Sequence, residues 1–244
     1  MHKSTVYVVT DTETTKKNGL VFDAAWRAVD RHGRVYGSGS YLLSDVLRYD
    51  DPFWKEKIGE YWKLVHKGKI RPTSTRMMRR QFNDLLRKLK NDGHRVIFTA
   101  YNCAFDAGAL SSTADRMLKM PFIDVPGVEL LDLWHAFCEV IPQDYCAPIS
   151  EKGNYSTSAE SVFAFIKGYK PGQFIEKHVA HSDVLVELDI LAWILRQKQK
   201  LHVVNKTKDF VSSPWRIAHQ KLGVKTGSLV GLKSHKELLS RAAA

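Results

Sequence analysis

Two carboxylates, Asp11 and Glu13, stand one residue apart at the end of an apolar run formed by residues 6–10. Side chains of a strand alternate between its two faces, so these carboxylates point the same way. Like charges held together repel each other, and hard carboxylate oxygens suit Mg²⁺ or Mn²⁺ as the counter-charge. The spacing indicates a metal site, although an acid-x-acid triplet alone is common by chance.

A second acidic element is the segment NCAFD, which follows a predicted strand and opens a helix. An acid at such a junction projects over the sheet edge that carries the first acidic pair. Taken alone, the segment also fits a local role, with Asn102 as a helix cap, Phe105 in the core and Asp106 favoured at a helix N-terminus.

A third element is the segment HVAHSD, in which His178 lies five residues before Asp183, where a loop runs into the last predicted helix. Metal-assisted hydrolysis requires a carboxylate that holds the metal and a base that removes a proton from the attacking water. On its own, however, a single histidine is more often an exposed loop residue.

The segments DTETT, NCAFD and HVAHSD, in this order and at this separation, resemble the motifs of the DEDD exonuclease superfamily. The third segment fits the HxAxxD pattern of the DnaQ-like branch, to which RNase T and polymerase proofreading subunits belong. The tyrosine variant of this motif would need a tyrosine at the position of Val179. Small bacteriophage-encoded exonucleases are the most similar overall, and the resemblance covers residues 5–195.

The resemblance implies a ribonuclease H-like α/β fold, with a mixed β-sheet flanked by helices, and a 3′→5′ exonuclease that releases mononucleotides from DNA or RNA. It implies two divalent ions, Mg²⁺ or Mn²⁺, about 3.5–4 Å apart. Their ligands would be Asp11, Glu13, Asp106 and Asp183, with Asp11 bridging both ions. His178 would act as the general base on the attacking water.

The resemblance also implies substrate contacts. It places Thr12 and Thr14 beside the terminal nucleotide, with Thr14 near its 3′ hydroxyl, and adds Asn102 and Phe105 from the second motif. Proofreading members usually carry glycine after DTETT, whereas this chain has two lysines, the first of them Lys16. This departure predicts a different loop shape, and our hypothesis is that the lysines contact a substrate phosphate.

Other polar residues near the motifs have simpler interpretations. His181 does not occupy the base position of the motif, and we interpret it as a surface residue or a support for the ligands. Glu187 follows Asp183 by one helical turn and could support the site, but we prefer to interpret it as an exposed acid on the surface of the helix. Asp132 and His135 are expected to cap or pack.

Apolar periodicity predicts three strands followed by alternating helices and strands, which indicates an α/β sheet with a mixed start. The predicted strands cover residues 6–10, 20–29, 35–43 and 95–100, with a further short strand at the start of 129–141. The predicted helices cover residues 52–67, 73–93, 159–166 and 182–199, with others after residue 102 and at the end of 129–141. Thr157 and Glu160 are expected to form a capping box.

An aromatic and basic helix, residues 52–67, has two interpretations. Trp54 and Trp62 would suit base stacking on a single-stranded substrate. Aromatic residues at helical spacing are more often core, and the core interpretation is preferred.

The chain has a formal net charge of +11 and a pI near 9.5. A basic surface of this kind favours the binding of polyanions, and together with the motifs it favours nucleic acid. The simpler alternative is that the charge only serves general solubility. We expect a catalytic domain at residues 1–199 and a basic C-terminal extension at 200–244, partly helical around 215–222. The expected partner is the 3′ end of a nucleic acid, in single-stranded form, while a homodimer is left open.

No apolar run is long enough to cross a bilayer, and the first residues lack the design of a signal peptide. The three cysteines, Cys103, Cys138 and Cys146, form no CxxC pair and are interpreted as core residues in a reducing compartment. We therefore expect a cytoplasmic protein that does not bind membranes. A phage-encoded protein that acts in a bacterial host also fits this expectation.

Two rival functions remain at this stage. A non-catalytic nucleic-acid-binding module on the same fold is disfavoured because all four motif carboxylates and the histidine are present. An endonuclease of the wider ribonuclease H-like class would not require the HxAxxD motif, so His178 argues against it.

Overall fold

The computed structural model of the protein describes residues 3–48, 52–142, 144–145, 147–149, 154–170, 172–198, 200–209, 215–216 and 229–230. Its strands are β1 (Thr5–Thr14), β2 (Val21–Asp30), β3 (Val35–Leu43), β4 (Arg71–Thr73), β5 (Arg95–Ala100), β6 (Glu129–Asp132), β7 (Trp215–Arg216) and β8 (Leu229–Val230). Its α-helices are α1 (Pro52–His66), α2 (Thr75–Asn91), α3 (Cys103–Leu118), α4 (Leu133–Cys138), α5 (Ala159–Lys167) and α6 (Ala180–Gln197).

A six-stranded sheet in the order β4-β3-β2-β1-β5-β6 forms the centre of the fold. β2 pairs antiparallel with β1 and β3, while the pairs β1–β5, β5–β6 and β3–β4 are parallel. The predicted mixed α/β sheet is thus confirmed. β1 has a neighbour on each side, which explains why its sequence is almost continuously apolar.

Helices cover both faces of this sheet. On one face α2 and α3 pack against β1, β2, β3 and β5, in a core that includes Phe82 and Leu110. On the other face α4, α5 and α6 pack in a core that includes Val9, Ala25 and Ile190. The small side chain of Ala25 lets α6 approach the sheet closely, and this contact positions the third motif.

Most predicted elements are confirmed, and the differences have local causes. β1 extends to Thr14, so the first acidic pair lies within the strand and not after it. β4 was missed because it has only three residues and contains proline, which suits a sheet edge. The predicted capping box is wrong, because Ser158 caps α5 by accepting the backbone N–H of Ser161. Glu160 instead accepts the N–H of Glu176.

The C-terminal prediction is tested in part. Residues 215–216 form a strand and not the start of a helix, and residues 217–222 lie outside the described part of the chain. Val204 exchanges two backbone hydrogen bonds with Leu130, of 2.8 and 3.0 Å, so the chain just beyond residue 199 packs against the sheet.

The preferred interpretation, that the aromatic residues of helix α1 belong to the core, is right for one of them and wrong for another. Tyr61 is fully buried, whereas Trp62 is 44% exposed. The side chain of Trp54 lies outside the described residues. Cys103 and Cys138 are buried and free, as expected, and Cys146 lies outside the described residues. In the part of the chain that the structure describes, no helix has the length and apolar character needed to cross a bilayer.

The stacked pair Trp26–Tyr41, with ring centroids 4.8 Å apart, depends on Gly39. A Cβ at this position would lie 2.7 Å from the Trp26 ring and in contact with the Tyr41 ring. We expect Gly39→Ala to lower the free energy of unfolding by about 1–3 kcal/mol, because neither ring has room to move.

Chemical denaturation measures this change. Gly59→Ala is the matched control. A Cβ at position 59 meets nothing within 4 Å, and the substitution replaces a glycine in helix α1. It should stabilise the protein by up to about 1 kcal/mol. Equal stability of the Gly39→Ala variant and the wild type would contradict the packing described.

Candidate active site

The first acidic pair lies on the face of β1 that α6 covers. In the antiparallel register Asp11 faces Ala25 and Glu13 faces Asp23 on β2. Ala25 belongs to the core beneath α6, and residues opposite each other in a ladder share a face. The expectation that Asp11 and Glu13 point the same way is therefore confirmed by the strand register.

Asp106 reaches the same end of the sheet from the first turn of α3. The Thr12 hydroxyl donates to Asp106 Oδ1 at 2.7 Å, and the Thr12 backbone also bonds to this carboxylate. Burial raises the pKa of Asp106 to about 7, although both Thr12 bonds act to lower it. The second motif is thus tied directly to the first.

The third motif arrives at the N-terminus of α6. Asp183 Oδ2 accepts the backbone N–H of Val179 at 2.9 Å, which closes the first turn of the helix. Ligand atoms of Glu13, His178 and Asp183 all lie within 4.8 Å of one another. Burial raises the pKa values of Glu13 and Asp183 to about 7 each.

Asp11 and Asp106 do not belong to this tight group, but they lie beside it. The pKa of Asp11 is raised well above its usual value, first by burial and then by the charges of Asp106, Glu187 and Asp183. Asp11 Oδ2 is buried and makes no hydrogen bond to the described residues. The four motif carboxylates therefore share one electrostatic environment.

His178 is exposed and adopts a left-handed backbone conformation, with φ 51°. Such a conformation costs on the order of 1–3 kcal/mol in a residue with a side chain and is found at functional sites. The Lys57 ammonium of α1 donates to the His178 carbonyl at 2.8 Å. Lys57 also lowers the pKa values of Glu13 and Asp183, partly offsetting burial.

Glu187 is part of the site, so the preferred interpretation of an exposed helix acid is wrong. Its side chain is buried, with Oε1 accepting the backbone N–H of Tyr101 at 3.1 Å and Oε2 without a described partner. Burial, followed by the Asp106 charge, raises its pKa well above the usual value. Its spacing of one helical turn from Asp183 was the signal in the sequence.

Asp23 was missed by the sequence analysis. It is fully buried, and its Oδ2 accepts from the Tyr61 hydroxyl at 3.0 Å and from the Ala180 N–H at 2.8 Å. Burial raises its pKa to about 7. A single acid inside an apolar strand was the only sequence signal, and its partners come from α1 and α6.

The expected substrate contacts occupy different environments. Thr12 is buried and bonded to Asp106, whereas Thr14 is half-buried and Lys16 is exposed. Asn102 precedes α3 in a left-handed conformation, with φ 61°, and its side chain makes no capping bond. Phe105 is 51% exposed, so the alternative of a core role is wrong for it.

Residues set aside by the sequence analysis have structural roles. Asp132 caps α4 by accepting the His135 N–H at 3.1 Å, and its other oxygen accepts the Cys103 N–H at 3.1 Å. The predicted capping role is thus confirmed. His181 is half-buried and faces a cavity on the far side of α6 from Asp183.

Solved structures with a similar fold exist, although neither a protein-family model nor a curated protein sequence matches the chain. A full-length 3′-exonuclease aligns over 94% of this chain and 91% of its own, with TM-score 0.56 and 11% identity. Exonuclease X in complex with 5′-overhanging duplex DNA aligns over 80% and 93%, with TM-score 0.48 and 16% identity. The likeness to the first of these establishes the ribonuclease H-like fold.

Buried carboxylates make the stability of the metal-free protein depend on pH. Glu13, Asp23, Asp106 and Asp183 have folded-state pKa values of about 7, above their usual values near 4. The folded state then binds more protons than the unfolded state between about pH 4 and 7, and its stability falls as pH rises through this window. Thermal unfolding in EDTA should show a higher Tm at pH 5 than at pH 8.

A divalent cation should reduce this dependence, because it stabilises the ionised carboxylates. The measurement is repeated with Mg²⁺ or Mn²⁺ at each pH. A metal-free Tm that rises between pH 5 and pH 8 would contradict the assignment of raised pKa values.

Glu187→Gln should stabilise the metal-free protein at pH 8. It removes a carboxyl group that folding must either bury in ionised form or protonate, while keeping a group that can accept from Tyr101, and we expect a gain on the order of 1–3 kcal/mol. Chemical denaturation in EDTA measures the change. Glu60→Gln on the exposed surface of α1 is the matched control and should change the stability little. Destabilisation by Glu187→Gln without metal would show that its charge is compensated in the fold.

Proposed function

We propose that the protein is a metal-dependent 3′→5′ exonuclease that hydrolyses the terminal phosphodiester bond of a nucleic acid and releases mononucleotides. One observation carries the proposal: Glu13 of β1 and Asp183 of α6, from two distant segments, meet beside the exposed His178, and ligand atoms of the three residues lie within 4.8 Å of one another. The shared fold with a solved 3′-exonuclease supports it.

The donor set fits hard divalent cations. Asp11 and Glu187 each keep one buried oxygen without a described partner, and burial raises the pKa of both carboxyl groups well above the usual value. Carboxylate oxygens suit Mg²⁺ or Mn²⁺. Asp11, Glu13, Asp106 and Asp183 would hold two ions. These ions would supply charge stabilisation for the attacking and leaving oxygens.

The side chains divide the remaining tasks. His178 is exposed to the solvent and would accept the proton of the attacking water, as a general base does. Glu13 and Asp183 lie close enough to orient its imidazole. Lys57 holds the backbone of His178 through the hydrogen bond to its carbonyl.

The substrate is proposed to be a 3′ end in single-stranded form. Phe105 is a large exposed aromatic residue on the helix that carries Asp106, and base stacking on it needs no particular sequence. Thr14 would lie at the terminal nucleotide, and Lys16 would contact a phosphate. The net charge of +11 would attract the polyanion. Residues 1–199 would form the catalytic domain, with 200–244 as a basic extension.

The test uses 5′-labelled single- and double-stranded DNA and RNA with Mg²⁺ or Mn²⁺. We expect products that shorten stepwise from the 3′ end, and no products in EDTA. His178→Ala should lower the rate by roughly 10²- to 10⁴-fold, the usual contribution of a general base. Asp11→Asn should abolish cleavage, while exposed His32→Ala serves as the matched control and should keep it.

The outcomes separate the rival functions. Internal cuts would identify an endonuclease of the same fold. Binding without cleavage under every metal condition would identify a non-catalytic module. Cleavage that persists in Asp11→Asn would overturn the proposed site.

A further inference from the structure

A cavity of about 210 Å³ opens beside the candidate active site, and the described residues that line it include no carboxylate. Basic residues from three elements and from the segment before β4 line it, together with serines of β3. The polar lining residues are Arg27, Ser38, Ser40, Lys69, Arg71 and His181.

The cavity and the carboxylates lie on the same sheet face, separated by the first turns of α6. Asp11 on β1 faces Ala25 on β2, and Ala25 faces Ser40 on β3. Two strand spacings put Ser40 about 10 Å from Asp11. His181 and Asp183 are two residues apart on α6, which is a rotation of about 200°, so they face opposite sides.

The polar groups of the cavity are not matched by acids. Among the described residues no carboxylate forms an ion pair with Arg27, Lys69 or Arg71. The Arg71 guanidinium lies over the Tyr41 ring, 5.5 Å from its centroid, and Tyr41 packs in the core on the opposite face of the sheet. Arg27 and Lys69 are therefore the cations that remain available to the cavity. Ser40 Oγ is buried and has no described hydrogen-bond partner. A concave site with unpaired cations and an unused hydroxyl matches an anion that accepts hydrogen bonds.

We propose that this cavity binds a backbone phosphate of the nucleic acid, upstream of the scissile bond. The inference rests on the proposed function, because it assumes that the 3′ end lies at the carboxylates. Lys69 and Arg27 would supply charge, and Ser40 would donate its hydroxyl. The strand would pass the N-terminus of α6, from the acidic side to the basic side.

The length of the substrate gives a sharp test. A dinucleotide without a 5′ phosphate has a single phosphate, the scissile one, and leaves the cavity empty. A single-stranded 12-mer has phosphates to fill it. Binding of both is measured by fluorescence anisotropy at several salt concentrations, in an Asp106→Asn background that prevents cleavage.

We expect Lys69→Gln to weaken binding of the 12-mer by roughly 3- to 10-fold. It should also reduce the slope of log affinity against log salt concentration by about 0.7–1 for the 12-mer, and leave the affinity for the dinucleotide unchanged. Arg27→Gln is the second variant, and circular dichroism checks that it folds. Lys88→Gln, on the exposed face of α2, is the matched control and should leave the salt slope of the 12-mer closer to that of the wild type.

Three results would overturn the inference. The first is an unchanged 12-mer affinity in Lys69→Gln and folded Arg27→Gln, and the second is an equal loss for the dinucleotide. In the third, the wild type binds inorganic phosphate, both variants abolish that binding, and the affinity for the 12-mer does not change. This result would assign the cavity to a free phosphate. If the wild type shortens 3′ ends in these cases, only this inference fails. If it neither binds nor cleaves any oligonucleotide, the proposed function fails too.

Discussion

Mutual repulsion among buried carboxylates is the constraint on which the rest of this structure depends. Burial raises the pKa values of Asp11 and Glu187, and the charges of Asp106 and Asp183 raise both further. Ionised groups in such a place are stable only with a counter-charge. The fold must therefore hold these groups together through its own hydrogen bonds and packing.

The scaffold fixes one oxygen of several carboxylates with a backbone N–H donor at or beside the end of a helix or strand. Val179 N–H holds Asp183, Ala180 N–H holds Asp23, and Tyr101 N–H holds Glu187. Each bond fixes an orientation and partly compensates for burial. The second oxygen of Asp23 and of Glu187 makes no hydrogen bond to the described residues, and the same is true of one oxygen of Asp11. This division of oxygens is what a cation site requires of its ligands.

Helix α6 separates two surfaces of opposite charge. One side of its first turns carries Asp183 and Glu187, which are one helical turn apart, and the other side carries His181. Because Ala25 is small, the helix packs tightly on β2 and keeps the acidic and basic groups apart. A phosphodiester chain that runs past the helix would meet basic side chains on one side and the proposed metal ligands on the other.

The sequence by itself determined the chemistry of the donors and the strand that carries the first pair. The order of the apolar strands and helices predicted a mixed sheet, and the resemblance of three short segments to a known set of motifs implied a group of carboxylates with His178. Only the tertiary structure decided which further acids are buried there. Asp23 and its partner Ala180 are 157 residues apart in the chain. Burial and pKa depend on such distant packing, which local patterns in a sequence do not encode.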